Sequence, residues 1–207
     1  MKNLQKIRQY FLLAVFLSTS LFLSSCDDDS ATPNPAPAGF GIFAQQDEFT
    51  VVMNGVIGSN TPQHWDNYIA AHPNTNKIIM KDCPGSMNDV ANLEAARKVR
   101  TQNVTIHLPS DAVIASGAVD FYLAGTTRTR DAGSLLGVHS WSDGSNEATD
   151  FPVGHANHLP YINYYKEMGF TQQEAEDFYY FTINAAPAAD VHWMTDAEIA
   201  QYKLLNP

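Results

Sequence analysis

Lys77-Ile-Ile-Met-Lys81-Asp-Cys-Pro84-Gly85-Ser86 decides the architecture. Lys77–Lys81 reads as a strand, Pro84-Gly85 as a turn, and a helical pattern follows at once. Residues 86–101 carry Val90, Leu93, Ala96 and Val99 at spacings of three, with Arg97, Lys98 and Arg100 toward the end, where cations suit the helix dipole. A strand–turn–helix junction of this kind points backbone N–H groups outward at a helix N-terminus, a geometry suited to an oxyanion.

The same alternation extends in both directions. Upstream, Phe49, Val51, Met53, Val56 and Ile57 suggest a strand that starts near Asp47 and ends at Gly58. Thr61-Pro62 then opens a helix through Trp65, Tyr68 and Ile69, with Thr61 as the expected cap. Downstream, Val104–Leu108 predicts a strand, Ser116–Leu123 a short helix and Ser134–His139 another strand. Two helices follow, near 157–168 and 171–185, the second capped by Thr171 with Glu174 three residues on. Thr195-Asp-Ala-Glu198 repeats that capping box before a last helix through Tyr202. Strands that alternate with helices argue for an α/β domain with mostly parallel strands. No internal repeat is visible.

The first 25 of the 207 residues form a leader that holds Lys2, Lys6 and Arg8, no acidic residue, and the apolar run Phe11–Phe22. That run is too short to span a bilayer and has the layout of a secretion signal. It closes on Leu23-Ser-Ser-Cys26, which resembles the lipobox of bacterial lipoproteins, in which Cys26 would be acylated. Asp27-Asp-Asp29 and a Pro- and Ala-rich stretch follow, so 1–25 reads as a signal peptide, 26–46 as a tether and 47–207 as the folded domain. Acidic residues directly after such a cysteine resemble either the surface-export signals of Bacteroidetes-type lipoproteins or an inner-membrane retention signal. The expectation is a cell-envelope protein anchored to a membrane through lipid. From Cys26 onward 9 basic residues face 22 acidic ones, a net charge of −13 that disfavours nucleic acid and other polyanions. With Cys26 committed to lipid, Cys83 has no intramolecular partner.

The residues with chemistry come in order. After Pro84-Gly85 stand Ala115-Ser116-Gly117-Ala118, Leu123-Ala124-Gly125, Gly137-Val138-His139, and Asp190 ahead of Met194-Thr195-Asp-Ala-Glu198-Ile-Ala-Gln-Tyr202. Small neighbours on both sides of Ser116 leave room for a substrate at its hydroxyl. This ordered set resembles the Clp protease proteolytic-subunit family of the crotonase-like superfamily, particularly its exported relatives, and runs colinearly from about residue 50 to 205. The resemblance implies an α/β fold built as a repeated β-β-α superhelix with C-terminal helices, a serine hydrolase without metal or cofactor, and assembly into homo-oligomers. It implies Ser116 as nucleophile, His139 as general base and Asp190 as the acid that orients the imidazole. The oxyanion donors would be the amides of Ser86, beside Gly85, and of Gly117.

Such a triad is needed because a serine hydroxyl is a weak nucleophile at neutral pH until a base held in one tautomer takes its proton. Two positions depart from the family pattern. Ser86 stands where the family has a second glycine, and Cys83 stands where it has Ser or Asn. If position 86 requires φ > 0, the side chain there costs about 1–3 kcal/mol of strain.

Several residues carry a second reading. Ser116 also suits close packing of a helix on a strand, and His139 a strand-end histidine bonded to a backbone carbonyl. Asp143 and Asp150 are the alternatives to Asp190. His155-Ala-Asn-His158, with His192 and Asp150, has a weak zinc-like spacing. The aromatic residues of 161–181 serve either as core or subunit interface, or as a groove beside His139. The function expected is a lipid-anchored peptidase acting on short peptides or unfolded protein. Its rivals are a catalytically silent domain that binds a peptide or envelope partner, and an esterase or acyltransferase on the same triad.

Overall fold

The computed structural model describes residues 39–206. The expected signal peptide, Cys26 and most of the expected tether lie outside the described residues. The elements, in chain order, are β1 Phe43–Gln45, β2 Thr50–Met53, α1 Thr61–Ala71, β3 Lys77–Met80, β4 Asp82–Cys83, α2 Asp89–Thr101, β5 Thr105–Leu108, β6 Val113–Ala115, α3 Gly117–Tyr122, β7 Thr127–Arg130, β8 Leu135–Val138, α4 Leu159–Glu167, α5 Gln172–Ala185, β9 His192–Trp193 and α6 Asp196–Gln201. They build two sheets, ordered β1-β2-β3-β5-β7 and β4-β6-β8-β9. All pairings are parallel except those of β1 with β2 and β8 with β9.

Each turn of the chain gives one strand to the first sheet, the next strand to the second sheet, and then a helix. The turns β3-β4-α2, β5-β6-α3 and β7-β8 therefore stack as the expected repeated β-β-α superhelix. The turn before them is abbreviated: after β2, the second sheet receives only an isolated parallel bridge from Ile57 to Ser86. Alternation drives the stacking. Val51 and Met53, Ile78 and Met80, and Ile106 and Leu108 are all fully buried, one pair from each of three neighbouring strands.

The differences from the sequence reading have local causes. Lys77–Lys81 does not continue as one strand, because the chain bends after Met80, and Lys81 uses its N–H on Met53 O and its carbonyl on Val113 N. Residues 43–45, assigned to the tether, form a strand because Phe43 inserts fully into the core against Trp65. Asn60 rather than Thr61 occupies the N-cap position of α1, without a side-chain capping bond, and Thr61 Oγ1 instead accepts from Gly58 N. In α2, Asn88 caps the helix and Val90 is 79% exposed, so the buried face is Ala91, Asn92, Leu93, Ala95, Ala96 and Val99. The capping boxes at Thr171 and Thr195 stand as read.

Arg128 on β7 fastens the end of the chain. Its buried guanidinium donates to the carbonyls of Leu204 (2.7 Å), Gly125 (3.1 Å), Leu123 and Lys203 (both 3.3 Å). Burial without a carboxylate partner pulls its pKa down to about 10. Replacing Arg128 with Ala strands the carbonyls of Leu123, Lys203 and Leu204, while Gly125 O keeps its bond from Arg100. We expect a loss of about 3 kcal/mol in urea denaturation, larger than for any surface arginine.

Candidate active site

Three parallel strands of the second sheet end side by side, and a residue with chemistry follows each end. Cys83 closes β4 and leads into Pro84-Gly85-Ser86, Ala115 closes β6 before Ser116, and Val138 closes β8 before His139. The registers Cys83 to Ile114 and Ala115 to Gly137 bring these three exits together. Ser116, Gly117 and His139 accordingly line one pocket, of about 40 Å³, together with Asp89, Asp120 and the rings of Trp141, Tyr161, Tyr165 and Tyr179.

Ser116 has φ 55° and ψ −135°, a backbone state that non-glycine residues rarely adopt. It is locked there by its neighbours: Ser116 N donates to Gly137 O (2.9 Å), and its own carbonyl accepts from Val119 N (2.8 Å) as α3 begins. A strained serine at a sharp strand-to-helix turn is the device by which hydrolase elbows lift a hydroxyl clear of the backbone.

The 84–86 turn lies against that elbow. Gly85 has φ 136°, and a Cβ there would come within 2.9 Å of Ser116 Cβ, so this position demands glycine. Ser86 is not among the residues with positive φ, and a side chain at this position therefore carries no such strain. Its neighbours pair as a parallel bridge, with Ile57 N donating to Gly85 O and Met87 N to Ile57 O (both 2.9 Å). That pattern leaves the Ser86 amide pointing away from the bridge. Gly117 opens α3, so its N–H belongs to the unpaired first turn. Asn92 Nδ2 holds the Gly117 carbonyl from α2 (2.8 Å).

His139 Nδ1 lies 2.7 Å from the carbonyl oxygen of Ser140. A carbonyl only accepts, so Nδ1 carries the proton and Nε2 bears the lone pair a general base needs. Ser140 is itself pinned: its N donates to Ala186 O (2.8 Å), and its Oγ accepts from Ala148 N (3.2 Å). Asp190, expected to orient the imidazole, is not joined to it. The Asp190 side chain is exposed and accepts from the N–H of Val191 (2.8 Å), because residues 187–190 make a turn before β9. Asp143 and Asp150 likewise serve their own turns. The bond to Ser140 O matches the second reading of His139, a strand-end histidine bonded to a backbone carbonyl.

Two carboxylates of the pocket went unread in the sequence. Asp89, in the first turn of α2, accepts from Ser86 Oγ and Tyr161 OH. Asp120 lies one helical turn beyond Ser116, and its Oδ1 accepts from Tyr165 OH (2.7 Å). The i, i+4 spacing was the available clue. Burial, and secondarily the charge of Asp89, pushes the Asp120 carboxyl up to about 7.

His158 of the zinc-like spacing is buried, with Nδ1 2.7 Å from Tyr179 OH and Nε2 3.1 Å from Pro152 O. Tyr179 OH also accepts from Trp141 Nε1 (2.9 Å), so this histidine braces the aromatic wall of the pocket. Among the described residues no group of three or more His, Cys, Asp or Glu side chains is placed to hold a metal. Tyr161, Tyr165 and Tyr179 line the pocket with His139, and Tyr164, Tyr165, Phe178 and Tyr179 belong to the core, so the core and groove readings of the aromatic segment overlap. Cys83 is fully buried, and burial raises its thiol to about 12, which makes it inert.

No family model matches the chain, and no curated protein matches it in sequence. Solved structures do. The 1510-N membrane-bound stomatin-specific protease, as a lysine-to-alanine mutant in complex with a substrate peptide, aligns with a TM-score of 0.50 at 21% identity, over 76% of this chain and 73% of that one. A serine-to-alanine mutant of the same protease aligns with a TM-score of 0.50 at 19% identity, over 76% and 77% of the two chains. The fold is Clp-like.

The raised Asp120 carboxyl makes stability depend on pH. The folded chain keeps this proton from about pH 4 to about pH 7, where the unfolded chain, at the ordinary value of 3.8, has lost it. Asp120 therefore contributes stability at low pH that is lost as pH rises through that window. Thermal melts of wild type and Asp120→Asn should diverge in favour of the variant between pH 4 and 7, and run parallel above.

Proposed function

We propose that this chain is a serine hydrolase acting as an ATP-independent peptidase, anchored through lipid at Cys26 to a membrane of the cell envelope. The observation that carries the reading is Ser116, held at positive φ against the 84–86 turn, in one pocket with a histidine whose Nε2 is free to accept a proton. The Clp-like fold and the substrate peptide bound by a structural neighbour support a peptide as substrate.

In this mechanism Ser116 Oγ attacks the scissile carbonyl carbon as His139 Nε2 takes its proton. The Ser140 carbonyl accepts from Nδ1–H, fixes the tautomer and stabilises the imidazolium through its dipole. The carbonyl oxygen becomes an oxyanion between the amides of Ser86 and Gly117, and each such donor is worth about 10²–10³ in rate. His139 then returns the proton to the leaving amine, and water, activated by the same nitrogen, hydrolyses the acyl-enzyme. A carbonyl stabilises imidazolium less than a carboxylate does, so turnover should be slower than in a Ser-His-Asp enzyme.

Lipid anchoring follows from Leu23-Ser-Ser-Cys26, and an extracytoplasmic site would offer no ATP for an unfoldase, which favours short or unfolded chains as substrates. A second reading, a catalytically silent domain that binds peptides, is favoured by the lack of a hydrogen bond from Ser116 Oγ to His139 and of a carboxylate on the imidazole.

A fluorophosphonate probe applied to the full chain separates the two. Wild type should label, Ser116→Ala should not, and His139→Ala should label at least about 10³ times more slowly. A folded wild-type chain that stays unlabelled would favour the silent domain.

A further inference from the structure

We propose that the pocket beside Ser116 receives the lysine side chain of the peptide residue whose carbonyl Ser116 attacks, with Asp120 as the carboxylate that recognises its ammonium. The proposal rests on the peptidase reading and adds a substrate class to it.

Charge is the first argument. Asp89 and Asp120 both line the pocket, and no lysine or arginine among the described residues does. Facing Asp120 are Asp89 from α2, Tyr161 and Tyr165 from α4, Tyr179 from α5, and His139 after β8; none of these carries a permanent positive charge. Two carboxylates beside a site that must build an oxyanion oppose the reaction unless a cation stands between them and it. Burial is the main cause of the raised Asp120 carboxyl, and the charge of Asp89 adds to it.

Free acceptor capacity is the second. Both Asp89 oxygens are engaged, by Ser86 and Tyr161. Asp120 uses only Oδ1, on Tyr165, and its Oδ2 has no hydrogen-bond partner among the described residues. An ammonium donates three hydrogen bonds, and one of them to Oδ2 is charge-assisted.

Shape is the third. A pocket of about 40 Å³ holds about three waters, on a measure in which one needs about 10–15 Å³. That is close to the four terminal heavy atoms of lysine and too little for a phenyl or indole ring. The Tyr161, Tyr165, Tyr179 and Trp141 rings suit both an aliphatic stem and the cation at its tip. The acidic excess of the chain as a whole would also draw basic peptides toward it.

The test uses two peptidyl diphenyl phosphonates that differ only in the reacting residue, lysine against norleucine, together with the fluorophosphonate probe, all on the full chain. If the pocket reads charge, the lysine probe inactivates at least ~10-fold faster than its neutral isostere. The ratio should fall toward one in Asp120→Asn. It should also fall in wild type from pH 8 to pH 5.5, where Asp120 is protonated, and because a ratio cancels whatever slows both probes alike, the assignment stays testable even if the variant misfolds. Labelling of Ser116 by the fluorophosphonate with norleucine as fast as lysine would overturn the pocket and leave the peptidase reading standing. A lysine preference that persists in both Asp120→Asn and at pH 5.5 would overturn the assignment to Asp120. A folded chain labelled by no probe would overturn both proposals together.

Discussion

The parallel pairing of β4, β6 and β8 is the constraint on which the rest of the site depends. Parallel strands end at the same side of a sheet, and groups placed just after their carboxyl ends meet in one crevice. Here the pairs Cys83–Ile114 and Ala115–Gly137 place the 84–86 turn, Ser116 and His139 next to one another, although 55 positions separate Pro84 from His139 in the chain. The strain at Ser116 is sustained by the same pairing, since Ser116 N donates to Gly137 of the neighbouring strand. Gly85 then closes on Ser116 with no room for a side chain of its own.

Around this crevice the helices supply a wall that the strands lack. Asn92 from α2 holds the first carbonyl of α3, and the relay from Trp141 through Tyr179 to His158 stiffens the aromatic side. The Asn92 and His158 bonds are buried and that of Trp141 half-buried, so losing a partner of either buried bond leaves an unpaired polar group that costs about 1–3 kcal/mol. Preorganisation of the site is thus tied to the stability of the packing beneath it.

How much of this could be read from the chain divides along physical lines. Long periodic segments were readable: α2, the capping boxes of α5 and α6, and the strands β3, β5 and β8 announce themselves through apolar spacing and caps. Short second-sheet strands were not, because two or three residues such as Asp82–Cys83 hold no period, and β7, Thr-Arg-Thr-Arg, has too few apolar residues to read as a strand. The superhelical repeat is one of backbone rather than of sequence, and only family resemblance pointed to it. Ser116, His139, Gly85, Ser86 and Gly117 read as an ordered set of small and reactive residues, of which Ser116, Gly117 and His139 line one pocket and Gly85 lies against Ser116. Asp190 is not joined to His139 because a turn directs its carboxylate to Val191, and the imidazole instead bonds a backbone carbonyl, as its second reading had it, although nothing in the sequence singles out Ser140 as the carbonyl. Asp89 and Asp120 were hidden as ordinary helix-surface charges until packing turned both toward one pocket.

The oxyanion role proposed for Ser86 and Gly117 requires their amides to converge on an oxygen bonded at Ser116. A crystal structure of the chain carrying a phosphonate adduct on Ser116 would show that oxygen. One phosphonyl oxygen should lie about 2.7–3.1 Å from both amide nitrogens, with His139 Nε2 facing Ser116 Oγ. An adduct whose oxygens all point to solvent, or a Ser116 that takes an ordinary negative φ with the amides of Ser86 and Gly117 turned elsewhere, would contradict it.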